Sequence, residues 1–355
     1  MRKFLSSLAC IAALMFSSLG ALNAVSPVSR LTTPLSAASP PLPQPLPAYI
    51  VVAWEKAGAI SGWINPQERA MDVWYAWDDS TNYHPRDIPA FEFTQWTPGV
   101  ISKLPPPDHG FGLDLEETNL TDIGLKELTK FAHLESLNLK STHVTDTGLE
   151  QLAGLMHLQS LNLEDDDQIT DKGLKELAGF KQLQALNLDF DTQVTDIGLK
   201  ELIGLQHLRF LNLRYTHVTD AGMQALASLM QLQSLGLGGL DITDTGLKEL
   251  AGLQQLQKLD LTGTQVTDTG LKELVSLTQL RYLDLMYDQV TNTGLKELAR
   301  FTQLHEVDLT CTHATDAGVA KLQKALPNLK IIFISEAPAS TPLPLILGVS
   351  PQKWE

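Results

Sequence analysis

The chain has 355 residues, the length of two or three ordinary domains, but its composition is uneven. All six Trp and eighteen of the nineteen Pro lie outside residues 111–332, so one long stretch differs from its flanks. With 43% hydrophobic and 19% charged residues, the chain is neither wholly disordered nor a multi-span membrane protein. A net charge of −15 argues against nucleic-acid binding, which needs clustered Lys and Arg. Two cysteines are too few for a disulfide-rich scaffold.

The first 24 residues have the organisation of a secretory signal peptide. Met1-Arg2-Lys3 provides a positive start, the segment from Phe4 to Leu22 carries no charge, and small residues follow around Ala24. We therefore expect an exported chain, located in the periplasm, the cell envelope or the extracellular space. The alternative is an uncleaved anchor, since this apolar run is nearly long enough to span a bilayer.

Two proline-rich segments flank the centre of the chain. Residues 25–47 contain seven Pro and four Ser, and such a composition predicts an extended linker rather than a packed domain. Residues 333–355 contain four Pro and are predicted to form a similar tail.

A repeat of 24 or 25 residues dominates the centre of the chain, as segments starting at Leu134, Leu158 and Leu183 show. The signature Thr-Asp-x-Gly occurs nine times in phase, with Asn292 as the only replacement of the Asp. These signatures begin at Thr121, Thr145, Thr170, Thr195, Thr219, Thr243, Thr267, Thr291 and Thr315. Residues 110–332 therefore form one repeat domain of nine units.

Each unit combines two periodicities. Leu-x-x-Leu-x-Leu has the two-residue alternation of a short strand, whereas Leu149, Leu152 and Leu155 recur every three residues, as on one face of a helix. Thr145 or Asp146 stands at the helix N-cap, and Gly148 is expected to let the helix pack close to the preceding strand.

Stacked units predict an α/β solenoid. Parallel strands lie about 4.8 Å apart, whereas packed helices need about 10 Å, so the stack bends. The parallel sheet then lines the concave face of a horseshoe, and the short helices cover the convex face.

The repeat Leu-x-x-Leu-x-Leu-x-x-Thr-x-Val/Ile-Thr-Asp-x-Gly-Leu resembles the leucine-rich repeat family. It is most similar to the helical ribonuclease-inhibitor-like and cysteine-containing classes, and to secreted bacterial members with Thr-Asp-x-Gly-Leu repeats. Thr118, Thr142 and Thr216 stand where the cysteine-containing class usually has Cys or Asn. The resemblance implies the horseshoe fold and the binding of a protein or another partner.

Residues 48–109 are predicted to cap the first unit of the solenoid. A helix is expected from Ala48 to Lys56, and strands at 73–77 and 91–93. Five Trp residues concentrate apolar area in this segment, which predicts a small α+β cap; an aromatic ligand-binding module is the alternative.

Side chains that alternate with the buried leucines should form rows across the concave face. The central row is polar and contains Asn138, Asn162, Asn187, Asn212, Asp260, Asp284 and Asp308. Aromatic residues and Met, which interfaces favour, interrupt the polar consensus at Phe190, Phe210, Tyr215, Tyr282, Met286 and Tyr287. Gly236, Gly238, Gly239 and Gly263 should leave a shallow depression between the two aromatic groups. We predict that these thirteen polar and aromatic side chains bind a protein, a peptide or a glycan.

No catalytic, cofactor or metal site is expected. Motifs such as Gly-x-Ser-x-Gly, a P-loop or His-Glu-x-x-His do not occur. Six carboxylates crowd one rim at Glu164, Asp165, Asp166, Asp167, Asp189 and Asp191, without calcium-loop spacing, and are expected to form a solvated turn. The leading hypothesis is a non-catalytic exported recognition protein. The alternative is a substrate-recognition subunit that resembles the F-box leucine-rich repeat adaptors of ubiquitin ligases.

Overall fold

The computed structural model describes residues 44–65 and 87–334. The predicted signal peptide, the predicted strand at 73–77, and most of the linker and tail lie outside these residues. In the described part of the chain, no helix is long and apolar enough to cross a membrane.

The cap begins with helix α1 (Ala48–Lys56), as predicted, followed by strands β1 (Ile60–Ile64) and β2 (Ile88–Glu92). The remaining strands are β3 (Phe111–Asp114), β4 (Leu134–Asn138), β5 (Ser160–Asn162), β6 (Ala185–Asn187), β7 (Phe210–Asn212), β8 (Ser234–Gly236), β9 (Lys258–Asp260), β10 (Tyr282–Asp284), β11 (Glu306–Asp308) and β12 (Lys330–Ile332). The helices of the repeat are α2 (Asp122–Leu125), α3 (Asp146–Gln151), α4 (Asp171–Leu177), α5 (Asp196–Glu201), α6 (Asp220–Leu226), α7 (Asp244–Glu249), α8 (Asp268–Glu273), α9 (Asn292–Leu298) and α10 (Asp316–Ala325). Short 3₁₀ turns follow several of these helices.

All twelve strands belong to one sheet, in which their spatial order is their order in the sequence. Only β1 and β2 pair antiparallel; every later neighbour pairs parallel. One helix follows each of β3 to β11 and packs on the helix of the next unit. The predicted α/β solenoid with a small α+β cap is confirmed, and the sheet is open at both ends.

The Thr-Asp-x-Gly signature joins each unit to the next. Thr170 Oγ1 accepts the backbone N–H of Lys172, so the Thr is the N-cap of its own helix. The same Thr donates its N–H and its hydroxyl to the carboxylate of Asp146 in the preceding unit, at 2.8 and 2.7 Å. A Cβ on Gly173 would lie inside van der Waals distance of that carboxylate. The Gly is therefore required by the neighbouring Asp, rather than by the preceding strand as the sequence suggested.

The cap and the repeats share one apolar core. Trp54 is fully buried, its ring stacks on Phe91 of the cap at 4.3 Å, and it contacts Phe111 and Phe131 of the first unit. Its Nε1 donates to the carbonyl of Pro105 at 3.0 Å. Because these contacts continue into the first leucine layers, the cap covers the apolar end of the solenoid.

Candidate binding face

The side of the sheet that faces away from the helices is called here the open sheet face. Strand register places its central row in line, so that Asn138, Asn162 and Asn187 are neighbours on consecutive strands. The row continues through Asn212 and Gly236 to the carboxylates Asp260, Asp284 and Asp308. The predicted alignment of this row is confirmed.

The central row also holds the backbone at the strand ends. In every unit except that of Gly236, its side-chain Oδ1 accepts the backbone N–H of the residue two positions later, at 2.7–3.2 Å. The four Asn residues of the row are at most 5% exposed. Asp260, Asp284 and Asp308 are only half-buried. The part of the row that a partner can reach is therefore its acidic end.

The residue that follows each of the strands β3 to β11 by three positions has a left-handed backbone, with φ between 51° and 74°. These nine positions, called here the turn row, are occupied by Glu117, Ser141, Asp165, Phe190, Tyr215, Gly239, Gly263, Tyr287 and Cys311. Glycine adopts this conformation without steric cost, whereas a bulky side chain rarely does. The three aromatic residues of the turn row thus occupy strained positions that glycine fills in two other units.

The predicted aromatic residues reach the surface to different extents. Phe190, Tyr215 and Tyr282 are 45%, 38% and 41% exposed, and the first two rings stack at 4.5 Å. Phe210, Met286 and Tyr287 are half-buried. The structure thus places all six on the open sheet face or along its turn row.

The expected depression over the glycines is largely filled. The Tyr215 ring lies against Gly239, and Arg214 crosses Gly238 to bring its Nε within 3.2 Å of Asp260 Oδ2. These atoms are not aligned for a hydrogen bond, so the contact is an ion pair. Around Gly263 no side chain fills the space. The prediction was wrong for the sixth unit, because long neighbouring side chains fill the space that glycine leaves.

A groove of about 450 Å³ lies instead toward the C-terminal end of the open sheet face. Side chains from β7 to β12 line it: Asn212, Arg214, Lys258, Asp260, Tyr282, Asp284, Glu306, Asp308 and Ile332, among others. Asn212, Asp260, Tyr282, Asp284 and Asp308 were predicted, whereas Arg214, Lys258, Glu306 and Ile332 were missed. For Lys258 the signal was its departure from the Ser residues of the same row, and for Ile332 its departure from the Asn and Asp residues of the central row. Arg214 and Glu306 gave no such signal, because charged residues stand in their rows in other units.

The acidic rim of the third and fourth units is not the solvated turn that the sequence suggested. Asp166, Asp189 and Asp191 are at most 7% exposed, while Asp165 and Asp167 are exposed. Asp166 and Asp191 occupy the inward turn position that Thr fills in five other units, and Asp191 Oδ1 accepts the N–H of Asp166 at 2.9 Å. Burial raises the pKa of Asp166 to about 8 and that of Asp191 well above its ordinary value. Among the described residues, no group of three acidic, His or Cys side chains could hold a metal ion.

Two family models for leucine-rich repeats match the chain, one described as a leucine-rich repeat region over residues 167–336 and the other over 132–153 and 154–178. Together with the parallel strand-and-helix units, these matches decide the family. The chain is a leucine-rich repeat protein. A comparison with curated proteins gave no match.

Solved structures of bacterial leucine-rich repeat proteins are similar to this one. Internalin C2 from Listeria monocytogenes is 30% identical over 48% of this chain and 69% of its own, with a TM-score of 0.42. An internalin from the same organism is 21% identical over 66% of this chain and 81% of its own, with a TM-score of 0.35. With TM-scores below 0.5, neither likeness supports an argument about the partner or the overall curvature.

Proposed function

We propose that this leucine-rich repeat protein is exported and acts without catalysis, by binding a protein partner on its open sheet face. The observation that carries the proposal is the placement of Phe190, Tyr215 and Tyr287 in the turn row. A left-handed backbone costs a non-glycine residue about 1–2 kcal/mol, and the fold itself obtains the same turn from Gly239 and Gly263. The four other non-glycine residues of the turn row carry the same cost, so a binding role is supported by the rings themselves, since Phe190 and Tyr215 are exposed and stack at 4.5 Å.

The composition of the face agrees with a protein interface. Exposed Phe and Tyr rings provide large contact area at low conformational-entropy cost, and interface hot spots are rich in Tyr and Arg. Here the guanidinium of Arg214 lies 5.5 Å from the centre of the Tyr215 ring, and its Nε pairs with Asp260. Aromatic anchors and oriented charges therefore meet on one surface.

Site-specific photo-crosslinking tests this proposal. A photoreactive phenylalanine analogue replaces Tyr215 or Tyr282 in the full chain, and as controls Tyr49 of the cap, which is 67% exposed, or Ile197 on helix α5, also 67% exposed. In intact producing cells, we expect a protein adduct of one defined mass from the two sheet-face positions only. Equal adducts from the control positions, or adducts that proteases do not digest, would contradict a protein partner on this face.

The export component has a separate test. The N-terminal sequence of the protein recovered from the cell envelope and the medium should begin between residues 21 and 25, since the small residues of the leader end there. Recovery of the chain in the cytosol with Met1 retained would instead support the intracellular adaptor hypothesis.

A further inference from the structure

The groove on the open sheet face carries an excess of negative charge. Four carboxylates line it, Asp260, Asp284, Glu306 and Asp308, against the two cations Arg214 and Lys258, which leaves two negative charges. Arg214 pairs with Asp260, and Lys330 beside the groove pairs with Glu306 at 2.9 Å. Within residues 44–65 and 87–334, neither Asp284 nor Asp308 forms a salt bridge. These two carboxylates are therefore the ones available to a cation from outside.

Asp284 and Asp308 are direct neighbours on the paired strands β10 and β11. Side chains at such positions are about 5 Å apart, a separation that one guanidinium bridges by donating from different nitrogens to each carboxylate. Each residue uses Oδ1 to accept a backbone N–H, from Met286 at 3.0 Å and from Thr310 at 2.7 Å. Asp284 also accepts a hydrogen bond from the Thr262 side chain, whereas Asp308 accepts no second hydrogen bond from the described residues.

The walls of the groove suit an aliphatic stem. Tyr282 is held in place by the ammonium of Lys258, 5.2 Å from the centre of its ring, and by His305, whose ring stacks on it at 6.4 Å. Ile332, half-buried on β12, forms another apolar part of the lining. Long cationic side chains place their methylene groups on apolar surface and their charge at polar groups.

We infer that the groove seats an arginine side chain of the protein partner, with its guanidinium between Asp284 and Asp308, an assignment that rests on the proposed function. Arginine fits better than lysine, because its planar group carries five donors in a fixed arrangement and can serve both carboxylates together.

The pKa of Asp284 agrees with a site built for an external cation. Burial and the charges of Asp260 and Asp308 together raise this pKa to about 6, against the lowering effects of the hydrogen bonds from the Met286 N–H and the Thr262 side chain. A bound guanidinium would lower the pKa again, because it favours the ionised form. Arginine binding should therefore weaken as the pH falls through about 6.

The test uses the full chain with two small probes, N-acetyl-arginine amide and its uncharged isostere N-acetyl-citrulline amide. Binding is followed by NMR of the labelled Asp carboxyl carbons. We expect millimolar affinity for the arginine probe, shifts confined to carboxyls of the groove, and at least tenfold weaker binding of the citrulline probe. The double variant Asp284→Asn/Asp308→Asn should bind the arginine probe at least tenfold more weakly, whereas Asp316→Asn, an exposed carboxylate on helix α10, should bind it as the unaltered protein does.

Both Asn replacements keep the oxygen that accepts the backbone N–H, and circular dichroism of the double variant confirms that it is folded. Equal binding of the two probes, or undiminished arginine binding by the folded double variant, would overturn the inference. If either result were found while photo-crosslinks from Tyr282 persisted, the proposed function would stand without the arginine site. Loss of all sheet-face crosslinks in the unaltered protein would instead remove the proposed function.

Discussion

Replacing Asp166 by Asn should make the protein more stable at neutral and alkaline pH. Asp166 is 2% exposed, its Oδ1 accepts the backbone N–H of Thr142 at 3.0 Å, and its Oδ2 has no partner among the described residues. Burial raises its pKa from 3.8 to about 8, and the charges of Asp165 and Asp167 add to the rise. Asn keeps the accepting oxygen and cannot ionise, so the replacement removes the cost of a buried charge.

The sign of the pH dependence follows from this raised pKa. Between pH 4 and about 8 the folded protein holds a proton on Asp166 that the unfolded chain has released, so stability falls as the pH rises through this range. One such carboxyl changes the free energy of unfolding by at most about 1.4 kcal/mol per pH unit. From pH 5 to pH 7 the free energy of unfolding should fall by on the order of 2 kcal/mol through Asp166, and Asp166→Asn should abolish this contribution. Some pH dependence should remain, because Asp191 and Asp288 are also buried carboxyls with raised pKa values.

The assay is urea unfolding followed by far-ultraviolet circular dichroism at pH 5, 6, 7 and 8. Asp241→Asn is the matched control, because it removes an exposed carboxylate from the corresponding turn three units away. We expect the unfolding midpoint of Asp166→Asn to vary less with pH than those of the unaltered protein and the control, and to exceed both at pH 8. The reasoning is refuted if the three proteins show parallel pH profiles, or if Asp166→Asn is the least stable of them at pH 8.

Two further predictions concern the joints of the solenoid. Gly173→Ala should destabilise the fold by about 1–3 kcal/mol, because the new methyl group overlaps the Asp146 carboxylate, whereas Gly154→Ala meets no atom within 4 Å and should leave the urea midpoint nearly unchanged. Equal midpoints for these two variants would refute the role assigned to the signature glycine. Trp54→Ala should cost about 3–5 kcal/mol in thermal or urea unfolding, because it opens a cavity between the cap and the first unit, and Tyr49→Ala on the same helix should cost under 1 kcal/mol. A small loss for Trp54→Ala would mean that the cap does not stabilise the repeats.

Much of the candidate site followed from the period of the repeat. Because side chains alternate along a strand and the units are in phase, the sequence predicted which residues share a row, and Asp260, Asp284 and Asp308 do lie on consecutive strands. The row positions of the aromatic residues followed in the same way. What the sequence did not predict was exposure, since the Asn part of the central row is buried and the Asp part is not.

Contacts between side chains of different units account for the features of the site that the sequence did not predict. Whether a glycine leaves a depression depends on the reach of side chains one or two strands away, as Arg214 shows when it crosses Gly238 to Asp260. The same holds for Asp166, whose hydrophilic character predicted a solvated turn but whose position is the inward one. Such effects involve residues one or two repeats apart, and a pattern within one unit does not contain them.

The sequence by itself determined the architecture. Leucines at a fixed period can be buried only by stacking, and Thr-Asp-x-Gly specifies both the start of each helix and its bond to the preceding unit. The tertiary structure alone decided which polar side chains remain available to a partner, which carboxyls lose their solvent, and where the groove opens. The physical reason is that burial and pKa depend on distances across the stack, which the closeness of parallel strands sets and a linear pattern does not record.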